Sequence, residues 1–179
     1  EVRRAAVVIA AQLPILARQA ITDLRAHLTH LDAHIAHYEQ ELTSLNRDCE
    51  PARRIMTMPG IGPLTASAIT ASVASGHEFS NGRQFAAWLG LVPRQHSTGG
   101  KTRLGRITKR GDAYLRTLLM LGARAVLQTA AQKSDRLSRW AVALRERRGY
   151  HRAVIAIAAK NARIIWALLT GESSFVPVN

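Results

Sequence analysis

Ile21, Leu24, Leu28, Leu31, Ile35, Tyr38, Leu42 and Leu45 recur in steps of 3, 4, 3, 4, 3, 4 and 3. An apolar residue every 3.5 positions is a helix with one narrow seam, here with Ile21, Leu28, Ile35 and Leu42 at a and the rest at d. Such a seam is buried by another helix, either from a second copy of the chain or folded back from residues 1–20. Pro14 breaks or kinks the segment before it. The favoured expectation is an intermolecular coiled coil, and hence a homo-oligomer joined through Ile21–Leu45. His27, His30, His34 and His37 form a second stripe on the same helix. Histidine pairs at i, i+4 can hold a metal, and four imidazoles can sense pH. No acid or thiol joins the stripe, so it reads as a solvated flank, and no metal site is expected in the chain.

Glu50-Pro51 ends that helix, which divides the chain into a helical arm and coil over 1–50 and a compact helical domain over 51–179. Ile55 and Met58 lead into Pro59-Gly60-Ile61-Gly62-Pro63 and then a small-residue helix. This order fits a helix-hairpin-helix, where Gly60 and Gly62 allow close backbone approach and the second helix offers free N–H groups to a phosphate. A purely structural turn between two helices fits equally well. Phe79-Ser80-Asn81-Gly82 reads as a turn with a helix cap, followed by the apolar run Phe85–Leu89, whose aromatics are read as core. Tyr114, Leu115, Leu118, Leu119, Leu121 and Val126 read as a buried helix, and a shorter helix carries Trp140. A turn at 147–150 precedes a last helix with Ile155, Ala158, Ala162, Ile165, Trp166 and Leu169 on one face. Strand signals are confined to Leu89–Val92. The expected fold class is all-α.

The net charge is +13, from 25 Lys plus Arg against 12 Asp plus Glu. That excess points first to nucleic acid and second to an anionic membrane surface. No run reads as the roughly 18 apolar residues of a membrane span, so no membrane partner is expected. Nothing reads as a signal peptide, and the expected location is the cytoplasm, associated with the nucleoid. The single cysteine, Cys49, excludes an internal disulfide and zinc-finger spacing. Because the chain opens at Glu1, already in helical pattern, it is expected to belong to something longer. Between Arg136 and Arg163 eight basic residues meet one acid, Glu146, which fits a second phosphate-facing surface or a solvated face.

Residues 93–116, PRQHSTGGKTRLGRITKRGDAYLR, concentrate the chemistry. Ser97-Thr98 precedes two glycines among Arg94, Lys101, Arg103, Arg106, Lys109, Arg110 and Arg116, with Arg83 and Arg124 flanking. Between Arg94 and Arg116 only Asp112 opposes them. A hydroxyl among guanidinium groups suits attack on a phosphodiester, because arginine neutralises charge developing on the phosphate with bidentate geometry. A basic loop that grips phosphate without chemistry has the same composition. The twelve acids are scattered, so a self-contained two-metal nuclease is not expected. A triad of Ser97, His96 and Asp112 is disfavoured, since adjacent residues rarely point at each other.

The segments MPGIGPLTASAI and FAAWLGLVPRQHSTGGKTRLGRITKRGDAYLRTLLMLGARAVL resemble the C-terminal half of the Piv/MooV-type, "IS one-ten" insertion-sequence transposases. These are recombinases guided by a bridge RNA, and the likeness runs from about Ile55 to Leu169. The resemblance implies a preceding RuvC-like domain whose DEDD acids bind Mg²⁺, then a coiled coil, then a transposase domain with a serine nucleophile. It implies a transient phosphoserine bond to DNA that conserves bond energy for strand exchange. On this resemblance Ser97 is the nucleophile, with Thr98 as the alternative register. Arg94, Lys101, Arg103, Arg106, Lys109, Arg110 and Arg116, with Gly60 and Gly62, would contact DNA or guide RNA. The DEDD domain is missing from this sequence. The isolated chain is therefore expected to bind nucleic acid and self-associate without cutting, and to hold no cofactor of its own.

Overall fold

The structure, a computed structural model, describes residues 14–73, 75–171 and 173–177. The chain divides into two units, residues 1–41 and 42–179. Helix α1, Ile15–Asp48, starts directly after Pro14 and runs from the first unit into the second. In the first unit its seam is bare from Leu24 onward: Leu24, Leu28, Leu31, Ile35 and Tyr38 are all exposed, Ile35 to 57%, whereas Ile21 is half-buried. The His30 and His34 rings lie one turn apart, 4.2 Å between centroids and tilted by 53°. Among the described residues no group of three or more His, Cys, Asp or Glu is placed to hold a metal ion. In the folded-back alternative, the part of the covering segment up to residue 13 lies outside the described residues.

The second unit takes in the last turn of α1, because Asn46 is buried there. Its Nδ2 donates to Pro63 O at 2.9 Å, and its Oδ1 accepts from Ser67 Oγ at 2.8 Å. The chain breaks at Cys49, which caps α2 (Glu50–Met56) with Pro51 in its first turn. The Gly-Ile-Gly turn then leads to α3 (Pro63–Ser72). Helix α4 (Gly82–Trp88) starts where Asn81 Oδ1 accepts from Arg83 N and Gln84 N, both at 3.0 Å. Asp112 caps α5 (Ala113–Thr129) and Asp135 caps α6 (Arg136–Arg148). A cap of this kind contributes about 1 kcal/mol by satisfying an otherwise orphaned N–H. Gly149, at φ +81°, separates α6 from α7 (Tyr150–Thr170). The fold is all-α apart from one small two-stranded sheet.

Helix α7 is the hub, packing against α2, α4, α5 and α6. Its buried stripe is Ala153, Val154, Ile157, Ala158, Asn161, Ala162, Ile165, Leu168 and Leu169. The stripe is rotated from the expected one: Ile155 and Trp166 lie only half-buried at its edge, and a polar residue, Asn161, occupies its centre. By length and composition α7 could cross a membrane, contrary to the reading that no run comes close. Half of the qualifying stretch is buried inside the protein, as befits a helix surrounded by others. On α5, Leu115, Leu118, Leu119 and Val126 are buried as expected, whereas Tyr114 and Leu121 face solvent. Tyr114 and Leu121, four before and three after Leu118, lie on its solvent side, across the helix from Leu115, Leu119 and Val126.

Candidate nucleic-acid interface

The basic segment is not a loose glycine loop. Strand β1 (Pro93–Gln95) pairs antiparallel with β2 (Leu104–Ile107), so the strands lie beyond Leu89–Val92, where the sequence suggested one. The ladder continues outward through His96 N, which donates to Arg103 O at 2.9 Å, to a bridge between Thr98 and Lys101. Gly99 and Gly100, at φ +58° and +75°, close the hairpin. Positive φ at both central residues is the tight turn that matches strand twist, and glycine adopts it at no steric cost. Exposure hid this hairpin: only Ile107 at its base is half-buried, so no apolar alternation marks the strands.

The hairpin's base is fixed to the helical core. Thr108 N donates to Val92 O at 2.9 Å and Lys109 N to Gly90 O at 3.1 Å. Lys109 sits at φ +53°, a conformation uncommon for a side-chain-bearing residue and held here by those bonds. Arg116, half-buried on α5, donates through Nη1 to Leu89 O at 3.0 Å, which turns this cation toward the end of α4. A cavity of about 410 Å³ is lined by Arg94, His96, Gly105, Arg106, Ile107 and Lys109. Three cations and an imidazole therefore converge on one groove beside the hairpin. Arg94 also reaches Thr108 O at 3.4 Å. Between the Pro93–Ile107 and Gln95–Leu104 pairs the register slips by one residue, a bulge beside Gly105 and Arg106.

Ser97 and Thr98 are both exposed near the tip. Ser97 Oγ accepts from Gln95 Nε2 at 2.9 Å, so these two side chains share a face. Alternation along the strand then sets Thr98 on the other face, with His96 and Arg94 of the groove. Lys101 and Arg103 extend the basic surface toward the tip, and Arg110 is exposed beyond Lys109. Asp112 is occupied as the α5 cap, its Oδ1 accepting from Leu115 N at 2.8 Å.

The Gly-Ile-Gly turn divides its two glycines between different tasks. Gly60, at φ +84°, lies against Gly122 of α5, whereas a side chain at Gly62 would meet open space at the uncapped start of α3. Residues Phe79, Phe85 and Trp88 form an aromatic cluster with centroids 5.1–5.9 Å apart. Phe85 is fully buried and Trp88 38% exposed.

Residues 52–139, from α2 through the hairpin into α6, match the family described as Transposase IS116/IS110/IS902 family. The chain is 49% identical over 167 residues to a probable family 20 transposase of Pseudomonas aeruginosa, covering 93% of this chain and 49% of that protein. It is 50% identical over 137 residues to the transposase for insertion sequence element IS1111A of Coxiella burnetii, covering 76% and 38%. Against the transposase for IS1328 of Yersinia enterocolitica it is 39% identical over 164 residues, covering 92% and 49%. The chain thus spans about half the length or less of these curated relatives.

Proposed function

We propose that the chain is the serine-bearing part of a DNA transposase, because residues 52–139 match the Transposase IS116/IS110/IS902 family and the chain is 49% identical to a probable family 20 transposase. The observation that carries this reading is the exposed Ser97-Thr98 pair at the tip of a hairpin whose flank is a groove of three cations. In the proposed step the Ser97 Oγ–H bond breaks, and its oxygen forms a bond to a DNA phosphorus. The bridging P–O bond to one sugar breaks in turn, and that sugar oxygen takes up a proton. The product is a phosphoserine diester. Attack by the hydroxyl of another strand regenerates serine and rejoins DNA without an external energy source. Arg94, Arg106 and Lys109, with Lys101 and Arg103 nearer the tip, hold the negative charge that builds on the phosphate oxygens.

No set of described residues fits Mg²⁺, and no step above passes through it. In this reading Mg²⁺ belongs to a DEDD set in another domain of the longer protein. The exposed heptad seam of α1 supports self-association, which would bring the serine of one copy to the acids of another. A guide RNA and a cytoplasmic, nucleoid-associated setting complete the reading.

The test is to trap a covalent protein–DNA adduct with the full-length protein, guide RNA and Mg²⁺, then map it by mass spectrometry. An adduct on Ser97 that Ser97→Ala abolishes, with DNA binding retained, is the expected result. An adduct on Thr98 moves the nucleophile to the groove face. Confirmed strand cleavage with no adduct on either residue overturns the serine mechanism. It would mean that water or a DNA hydroxyl attacks and the Ser97-Thr98 turn only clamps phosphate, leaving this chain a non-catalytic nucleic-acid-binding and dimerisation module.

A further inference from the structure

Where α6 packs on α7, four side chains converge outside the hairpin. Arg136 and Trp140 lie one turn apart on α6, and Lys160 and Arg163 lie one turn apart on α7. The Lys160 ammonium stands 4.4 Å from the centroid of the Trp140 ring. The charge is thus held over the face of an indole, the geometry of a cation–π contact. Burial, and then the Arg136 and Arg163 guanidinium groups, hold the Lys160 pKa below the ordinary lysine value.

No carboxylate pairs with Arg136, Lys160 or Arg163 among the described residues. The nearest acid in sequence, Asp135, is engaged elsewhere: its Oδ1 accepts from Ser138 N at 3.0 Å and its Oδ2 from Ser138 Oγ at 2.6 Å. The native fold therefore holds one ammonium over an indole with two guanidinium groups close enough to act on it, and, although Arg163 Nε donates to Ala159 O at 3.2 Å, no carboxylate offsets the three charges among the described residues. An anion that bridges them relieves that repulsion. Trp140 meanwhile fixes the Lys160 head in place, so little rotamer freedom is left to lose on binding.

We infer that Arg136, Trp140, Lys160 and Arg163 form a second nucleic-acid contact, separate from the hairpin groove, that takes the backbone phosphates of a duplex. The inference rests on the reading of this chain as a nucleic-acid-binding transposase segment. The chemistry is that of a phosphodiester, which DNA and RNA share, and the site carries no base-reading geometry.

The test measures binding of the whole chain to a labelled DNA duplex of about 20 base pairs, and separately to an RNA duplex of the same sequence, across a KCl series. Each phosphate contact contributes about 0.9 to the slope of log affinity against log salt. Arg136→Gln/Lys160→Gln/Arg163→Gln is expected to flatten that slope by about 2–3 with at least one of the duplexes, and to weaken binding about tenfold or more near 0.1 M salt. Whichever duplex shows the change identifies the source of the phosphates. An unchanged slope, beside weakened binding in Arg94→Gln/Arg103→Gln/Arg106→Gln, overturns the inference and leaves the hairpin reading standing. The opposite pattern supports the inference and removes the hairpin from binding. An equal loss in the charge-matched Arg25→Gln/Arg47→Gln/Arg53→Gln variant makes the effect one of net charge and overturns the inference, as does wild-type chain that binds neither duplex. Lysine acetylation of the wild-type chain, read by mass spectrometry, needs no variant to fold. Lys160 is expected to be protected by duplex, and acetylation at an undiminished rate in saturated complex counts against the site.

Discussion

Gly122→Ala sets two effects of opposite sign against each other at one position of α5. In a helix interior alanine is favoured over glycine by about 1 kcal/mol, so at a free surface the change would stabilise. Here the new methyl group would run into the carbonyl oxygen of Gly60, and the reciprocal position on Gly60 lies 2.5 Å from Gly122 O and 2.8 Å from Val126 Cγ2. The obstacle at Gly122 is main chain, which no rotamer change relieves, so the turn must lift away from α5. That opens the core around Ile61, Val126 and Leu119. Overpacking of this kind costs about 1–3 kcal/mol, and a backbone clash belongs at the upper end. After subtracting the propensity gain, a net loss of about 1–2 kcal/mol remains, or about 2–8 °C in melting temperature for a chain of this size. Thermal and urea unfolding followed by far-UV circular dichroism measure it. Gly60→Ala should be worse, since it meets the same neighbour without the helix gain and adds about 1 kcal/mol for a side chain at positive φ. A Gly122→Ala variant that melts higher than wild type would refute the reasoning, because the two backbones would then not be in contact.

Asn161 is fully buried on α7, and neither its Nδ2 nor its Oδ1 has a hydrogen-bond partner among the described residues. Asn161→Leu should leave the melting temperature unchanged or raise it, since an unsatisfied amide costs about 1–3 kcal/mol; a clear drop would mean that the amide is satisfied. Asp135→Ala should cost about 1 kcal/mol near neutral pH through loss of the α6 cap. The Ser138 hydroxyl holds the Asp135 carboxyl below its ordinary 3.8. A depressed carboxylate pKa stabilises the fold above the unfolded value and stops doing so as pH falls through the folded one. The gap between wild type and Asp135→Ala should therefore close below about pH 4, and a gap that widens there would contradict the assignment. Ile35→Glu, in the exposed seam of α1, should convert an oligomer to monomer in sedimentation while the melting of residues 42–179 is unaffected. Unchanged mass would place the contact elsewhere.

The helices were legible where one period ran without interruption. The seam from Ile21 to Leu45 lies within a single helix, and Asn81 marks the start of α4 because its short amide suits an N-cap. The centre of α7 was harder to read, since alanines on several sides leave the buried stripe undetermined by sequence, and Asn161 looks like solvent-facing polarity. Around the candidate site, composition alone gathered the cations, while their arrangement depended on the hairpin. That arrangement is invisible in a segment whose strands carry no alternating apolar face; its one local cue was the Gly99-Gly100 pair. Likewise, nothing in the sequence tells that Arg116 donates to Leu89 O.

The place of α7 in the chain has a consequence for synthesis. The helix against which α2, α4, α5 and α6 pack is the last of them to leave the ribosome. Until residues 150–170 emerge, Ile55, Phe85 and Leu119 have no completed core to enter. Folding of this unit is consequently a late, nearly all-at-once event. A message truncated before α7 yields a product that presents its basic hairpin yet lacks a stable body to hold it.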